Sequence, residues 1–101
     1  MYSSHAQYVA LPDTNFGRWL STFGYSACVT GSTSTGYQLD TTCSAVLTAD
    51  TMRLHAQVFV ITISNLWGIQ FFKNLKYLDC SFEGIAQIPE LPNSLKYLYQ
   101  S

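Results

Sequence analysis

Leu75-Lys76-Tyr77-Leu78 and Leu95-Lys96-Tyr97-Leu98 are two copies of one phrase, 20 residues apart near the end of a 101-residue chain. Self-similarity at such a period is the mark of stacked repeats, in which each unit buries its apolar face against the next. In the first copy Leu78 and Cys80 alternate with Tyr77, Asp79 and Ser81. That period of two predicts a short half-buried strand. The segment between the copies carries Pro89 and Pro92. Proline lacks an N–H and fixes φ, so a regular helix is barred there and extended geometry favoured. An ordinary hairpin with a long loop is the plainer alternative, but it leaves the duplicated phrase unexplained.

Written in full, the first copy reads Leu-x-x-Leu-x-Cys-x-x-Glu-x-Ile, from Leu75 to Ile85. This resembles the leucine-rich repeat, L-x-x-L-x-L-x-x-N/C-x-L. Cys80 takes the third apolar slot, and Glu83 stands where the repeat usually has Asn. The second copy has Gln100 in the Cys80 slot. The resemblance extends to the amino-terminal side. Tyr8-Val9-Ala10-Leu11-Pro12-Asp13-Thr14-Asn15-Phe16 is similar to the start of the cap on exported bacterial leucine-rich-repeat proteins. Ile63 to Leu75 is similar to the end of that cap. The similarity implies an α/β fold, the start of a leucine-rich-repeat solenoid of short parallel strands with a small helical amino-terminal cap. It divides the chain into a tail or signal-peptide stump (1–7), the cap with loop and strand (8–62) and the repeat coils (63–101). Some relatives carry an acidic, calcium-loop-like segment in the middle. This chain does not, so neither calcium nor any other cofactor is carried over.

The residues support a cap on their own terms. Asp13 is a helix N-cap, its carboxylate placed to accept from first-turn N–H groups. Phe16, Trp19, Leu20 and Phe23 fall at i, i+3, i+4 and i+7, one apolar stripe on a helix from about Thr14 to Phe23. Gly24 stands where a left-handed residue closes such a helix, and Gly17 costs up to about 1 kcal/mol within it. Cys28 to Tyr37 reads as a small polar loop. Asp40 is a second N-cap, for a short helix over about Thr41 to Ala49 that ends at Asp50-Thr51. Val58 to Ile63 is the strongest strand candidate, β-branched and aromatic, and is assigned to a degenerate first coil.

Composition narrows the function. With 48% apolar and 11% charged residues the chain is not disordered by composition. A net charge of −1 and no basic run give no footprint for nucleic acid. No apolar run reaches the length of a membrane span, so membrane insertion is not expected. At the amino terminus Ser4-His5-Ala6 has the small-x-small form of a signal-peptidase site, yet no basic or apolar leader precedes it. An export-signal stump and a plain polar tail both remain open.

Cys28, Cys43 and Cys80 with His5 and His55 form no metal spacing and no nucleophile motif, and the acidic residues are dispersed, unlike a paired-carboxylate site. No catalytic residues are expected. The expectation is a non-enzymatic module for protein–protein interaction or adhesion, secreted or at the cell surface. Its binding face would be Tyr77, Asp79, Ser81, Tyr97 and Tyr99, the outward side chains of successive strands. The alternatives are that these tyrosines only stack on one another, and that the piece is a structural end cap with no ligand. Leu95 and Leu98 have no following coil, so self-association through the carboxy-terminal coil is also expected.

The implied export makes a disulfide sustainable. Cys28 follows the first helix and Cys43 lies in the first turn of the second, so a Cys28–Cys43 bond would tie the two across the polar loop. Closing about 15 residues stabilises by roughly 3 kcal/mol in the chain-entropy model. Cys80 is left as a buried thiol; the alternative is three reduced, buried cysteines in a cytosolic protein.

Overall fold

The computed structural model of the chain describes residues 7–54, 63–80 and 90–99. The Val58–Ile63 strand falls outside them except for Ile63, as do His5, His55, Ser81, Glu83 and Gln100. The fold is mixed α/β, with two small sheets and short helices joined by one apolar core.

The first sheet belongs to the amino-terminal half. Strand β1 (Tyr8–Leu11) ends at Pro12, and helix α1 (Thr14–Thr22) follows. Asp13 caps it in extended backbone conformation, its Oδ1 accepting from the Asn15 N–H at 2.9 Å. Phe16, Trp19 and Leu20 point inward as their spacing requires, and are 0%, 6% and 0% exposed. Gly24 adopts φ +102°. That left-handed residue turns the chain so that the Tyr25 N–H reaches back to the Leu20 carbonyl at 3.0 Å, the closing bond of a Schellman motif. Gly17 has a packing reason the sequence did not reveal. A β-carbon there would collide with the Tyr37 side chain, so glycine lets α1 lie close on the sheet.

The polar loop expected from Cys28 to Tyr37 is instead a β-hairpin. Strands β2 (Val29–Ser32) and β3 (Gly36–Asp40) pair antiparallel, and β1 adds to the other side of β3, giving the order β1-β3-β2. The small hydroxyl residues hid this by composition. Their alternation did not: Tyr37 and Leu39 are buried while Gln38 is exposed. The hairpin turn is closed by the Ser32 hydroxyl, which accepts from the Thr35 N–H at 3.2 Å.

The second helix is shorter than expected. It is α2 (Ser44–Thr48), and its N-cap is Cys43, not Asp40. Asp40 closes the preceding turn, with Oδ1 accepting from the Thr42 N–H at 2.9 Å and its hydroxyl at 2.7 Å. A local side-chain turn has outcompeted the helix start. Cys28, at the end of a 3-10 turn (Ser26–Cys28), is bonded to Cys43, with their Cα atoms 5.5 Å apart. The bond therefore staples the base of an ordered hairpin; the flexibility it removes is that of the unfolded chain. Cys80 is buried and in no disulfide, its thiol donating to the Tyr99 carbonyl at 3.3 Å.

The second sheet is parallel. It contains β4 (Thr51–Arg53), β5 (Tyr77–Asp79) and β6 (Tyr97–Tyr99), in that order. Thr51–Arg53 is the strand that pairs with the first repeated phrase, and the sequence did not lead us to expect a strand there. The register between β5 and β6 is Tyr77↔Tyr97, Leu78↔Leu98 and Asp79↔Tyr99, the 20-residue offset of the phrase itself. The same linkage recurs between successive strands. The Asp50 carbonyl accepts from the Lys76 and Tyr77 N–H groups, and the Lys76 carbonyl from those of Lys96 and Tyr97. Equivalent turns precede β5 and β6: Leu75 N–H donates to the Phe72 carbonyl and Leu95 N–H to that of Pro92, both at 3.1 Å. Inward residues Met52, Leu78 and Cys80 join Ile63, Leu66 and Phe72 in the common core.

Candidate functional site

Side chains alternate across a strand, so burying Met52 and Leu78 forces their neighbours outward. Thr51 and Arg53 on β4, Tyr77 and Asp79 on β5, and Tyr97 and Tyr99 on β6 form that outward face. The parallel register aligns them in two rows, Thr51-Tyr77-Tyr97 and Arg53-Asp79-Tyr99. Four of the five residues expected on the face are brought together there; Ser81 lies outside the described residues.

Tyr77 is the centre of the face. Its ring lies 6.3 Å from that of Tyr97 and 5.2 Å from that of Tyr99, tilted by 45° and 40°. The Arg53 guanidinium sits 5.1 Å from the Tyr77 ring centroid, a cation–π contact worth about 0.5–1 kcal/mol at an exposed position. Tyr77 is half-buried under these neighbours, whereas Tyr97 and Tyr99 are 57% and 49% exposed. The tyrosine rings thus contact one another at tilted angles, and two of them remain about half exposed.

Sequence reasoning missed Arg53 and Thr51. The available signal was the alternation Thr51-Met52-Arg53-Leu54, polar and apolar in turn, with Met52 and Leu54 buried. It is short, and follows a segment read as the end of a helix.

Asp13 has a second role. Its Oδ2 accepts from the Ser64 N–H at 2.7 Å and the Asn65 N–H at 3.0 Å, so one carboxylate joins the start of α1 to the segment that precedes β5. Burial and the nearby Asp50 carboxylate hold the Tyr25 hydroxyl above its ordinary pKa. The Thr42 hydrogen bonds hold Asp40 below the usual carboxylate range. Both groups serve packing and turns, away from the outward face.

A separate open groove of about 460 Å³ runs between the 3-10 turn Ile69–Phe71 and the segment 90–93, with Gln70, Lys73 and Glu90 among its lining residues. None of the four described face residues lines it. Among the described residues no group of three or more His, Cys, Asp or Glu is placed to hold a metal ion. No described helix is long and apolar enough to cross a membrane. No family model, curated protein or solved structure matches this chain.

Proposed function

We propose that the chain is the cap and first coils of an exported leucine-rich-repeat module, and that it binds a protein partner through the outward face of its parallel sheet. The observation that carries this is the row of tyrosines. Tyr97 and Tyr99 stay about half exposed while both rings contact Tyr77, which itself lies under the Arg53 guanidinium. Rigid aromatic rings with hydrogen-bonding tips supply contact area at little entropic cost, and such residues are enriched at interfaces. The Cys28–Cys43 bond supports an oxidising compartment, in keeping with a secreted or surface-displayed protein. The repeated inter-coil hydrogen bonds support the repeat reading.

The test is a binding screen against a panel of purified extracellular proteins. The chain is compared with a Tyr97→Ala/Tyr99→Ala variant and a Tyr8→Ala control, which removes an equally exposed ring from the cap. A partner lost by the double variant and kept by the control supports the proposal. A partner held equally by all three, or none across the panel, overturns it.

One observation favours a second reading, a structural end cap of a longer stack. Met52 on β4 and Leu54 just after it are 2% and 0% exposed, whereas Leu98 on β6 is 40% exposed. One end of the sheet is sealed and the other is not.

A further inference from the structure

Leu75 and Leu78 are both fully buried. Strict alternation would turn one of the two residues between them inward. Neither goes: Lys76 is exposed and Tyr77 half-buried. The backbone shows how. The Asp50 carbonyl accepts from both the Lys76 and the Tyr77 N–H, at 2.9 and 3.1 Å, so two residues oppose one, as at a bulge. The next strand repeats this, with the Lys76 carbonyl accepting from Lys96 and Tyr97 at 2.8 and 2.9 Å. Lys76 and Lys96 are therefore direct backbone neighbours, both exposed, running alongside the Tyr77–Tyr97 row.

That arrangement opposes folding on its own. Paired strands lie about 4.8 Å apart, and like charges side by side across strands are destabilising. Among the described residues, no hydrogen bond or ion pair engages either ammonium group. Asp50 heads the same row, but its carboxylate acts on Tyr25, whose ring packs against Trp19 and Phe72. A third cation, Arg53, lies over the Tyr77 ring. The one acid in the two rows of the outward face is Asp79, in register with Arg53.

We propose, on the reading of the outward face as a binding surface, that the segment it accepts is an acidic stretch of polypeptide. Its carboxylates meet Lys76 and Lys96, and its apolar or aromatic side chains lie on Tyr97 and Tyr99. Charge complementarity selects this partner, since the lysines stand beside tyrosine hydroxyls that also donate to carboxylates. Asp79 selects polypeptide over a uniform polyanion. It lies about 10 Å along the strand from Lys76, on the same face. A nucleic acid or sulfated polysaccharide crossing the lysines lays further negative charge on Asp79. A polypeptide places acids at the lysine end and a hydrogen-bond donor at the other.

The experiment is fluorescence anisotropy of a labelled glutamate–tyrosine copolymer titrated with the whole chain. A lysine–tyrosine copolymer and single-stranded oligothymidylate are measured alongside. The glutamate–tyrosine copolymer binds tightest, and its affinity falls as salt is raised from about 50 to about 300 mM. Lys76→Gln/Lys96→Gln weakens it by about tenfold. Lys73→Gln, an exposed lysine on the separate groove, leaves it unchanged. Removing like-charged neighbours keeps or raises the melting temperature, so the loss is not one of folding. Should the double variant unfold, Lys96→Gln alone decides, together with Asp79→Asn, which strengthens oligothymidylate binding. No binding of the glutamate–tyrosine copolymer overturns the proposal, as do undiminished binding by the folded lysine variants and tighter binding of either other probe. A partner from the protein panel that is lost in Tyr97→Ala/Tyr99→Ala but kept in Lys76→Gln/Lys96→Gln overturns the acidic assignment alone and leaves the binding face standing.

Discussion

Asp13 accepts a hydrogen bond from the backbone N–H of Asn65 at 3.0 Å, across 52 positions of sequence. The other oxygen of the same carboxylate caps α1 through Asn15. The cap is worth about 1 kcal/mol, and hydrogen bonds to a charged group about 1.5–3 kcal/mol each in favourable settings. Asp13→Ala is therefore expected to lose about 2–4 kcal/mol, more than a cap alone. Asp13→Asn, with one carbonyl oxygen in place of two carboxylate oxygens, should fall between. Denaturant titration checks both; a loss below about 1 kcal/mol in Asp13→Ala would mean that the long-range bonds contribute nothing net.

Gly17 sets two effects against each other. Helix propensity alone predicts that Gly17→Ala stabilises by up to about 1 kcal/mol. The collision with Tyr37 opposes this, and overpacking a filled core costs about 1–3 kcal/mol. Packing wins, so the variant should melt below wild type. Tyr37→Ala in the same background should recover part of the loss specific to Gly17→Ala, which a double-mutant cycle measures.

Alkylation after denaturation without reductant should find one thiol, Cys80, because Cys28 and Cys43 are bonded. Replacing both bonded cysteines by serine should lower stability by roughly 3 kcal/mol in the chain-entropy model. Three alkylated thiols in native material would contradict the pairing.

Leu78 and Leu98 are the same residue of the repeated phrase in two settings, 0% and 40% exposed. Leu78→Asp buries an unpaired charge and should abolish folding of the parallel sheet. Leu98→Asp places the charge at an open edge and should leave the monomer folded, as should Tyr97→Ala. Urea titrations of the three variants test the assignment of inward and outward positions; equal losses would refute it.

Tyr25 gives the pH dependence its sign. Burial, with Asp50 adding to it, raises its pKa in the folded state above the ordinary 10.0. Its contribution is complete below that value and is lost as pH rises through the folded pKa, because the unfolded chain releases the proton more readily. Stability should decline in alkaline solution, and Tyr25→Phe should flatten that decline. A Tyr25→Phe curve parallel to wild type would remove Tyr25 as the cause.

What the sequence determined by itself was whatever a local period or a repeated phrase can encode. The i, i+3, i+4, i+7 stripe places α1 and its buried face. The duplicated Leu-Lys-Tyr-Leu sets the register of β5 on β6, because identical spacing presents identical side chains to the same side. The Cys28–Cys43 bond was also expected, from the resemblance and from the two cysteines flanking the polar loop, and it is formed. The hairpin β2–β3 escaped because hydroxyl residues and glycine score as loop, while its order comes from Tyr37 and Leu39 finding a core that other segments build. Thr51–Arg53 escaped for a related reason. Three residues carry too weak a period, and their strand exists because Tyr77 and Asp79 arrive beside them. Arg53 over Tyr77, Asp13 against Asn65 and Gly17 under Tyr37 are contacts between distant segments, and only the tertiary structure could decide them. Local propensity encodes which groups face inward; which groups meet is settled by the packing of elements that no local pattern relates.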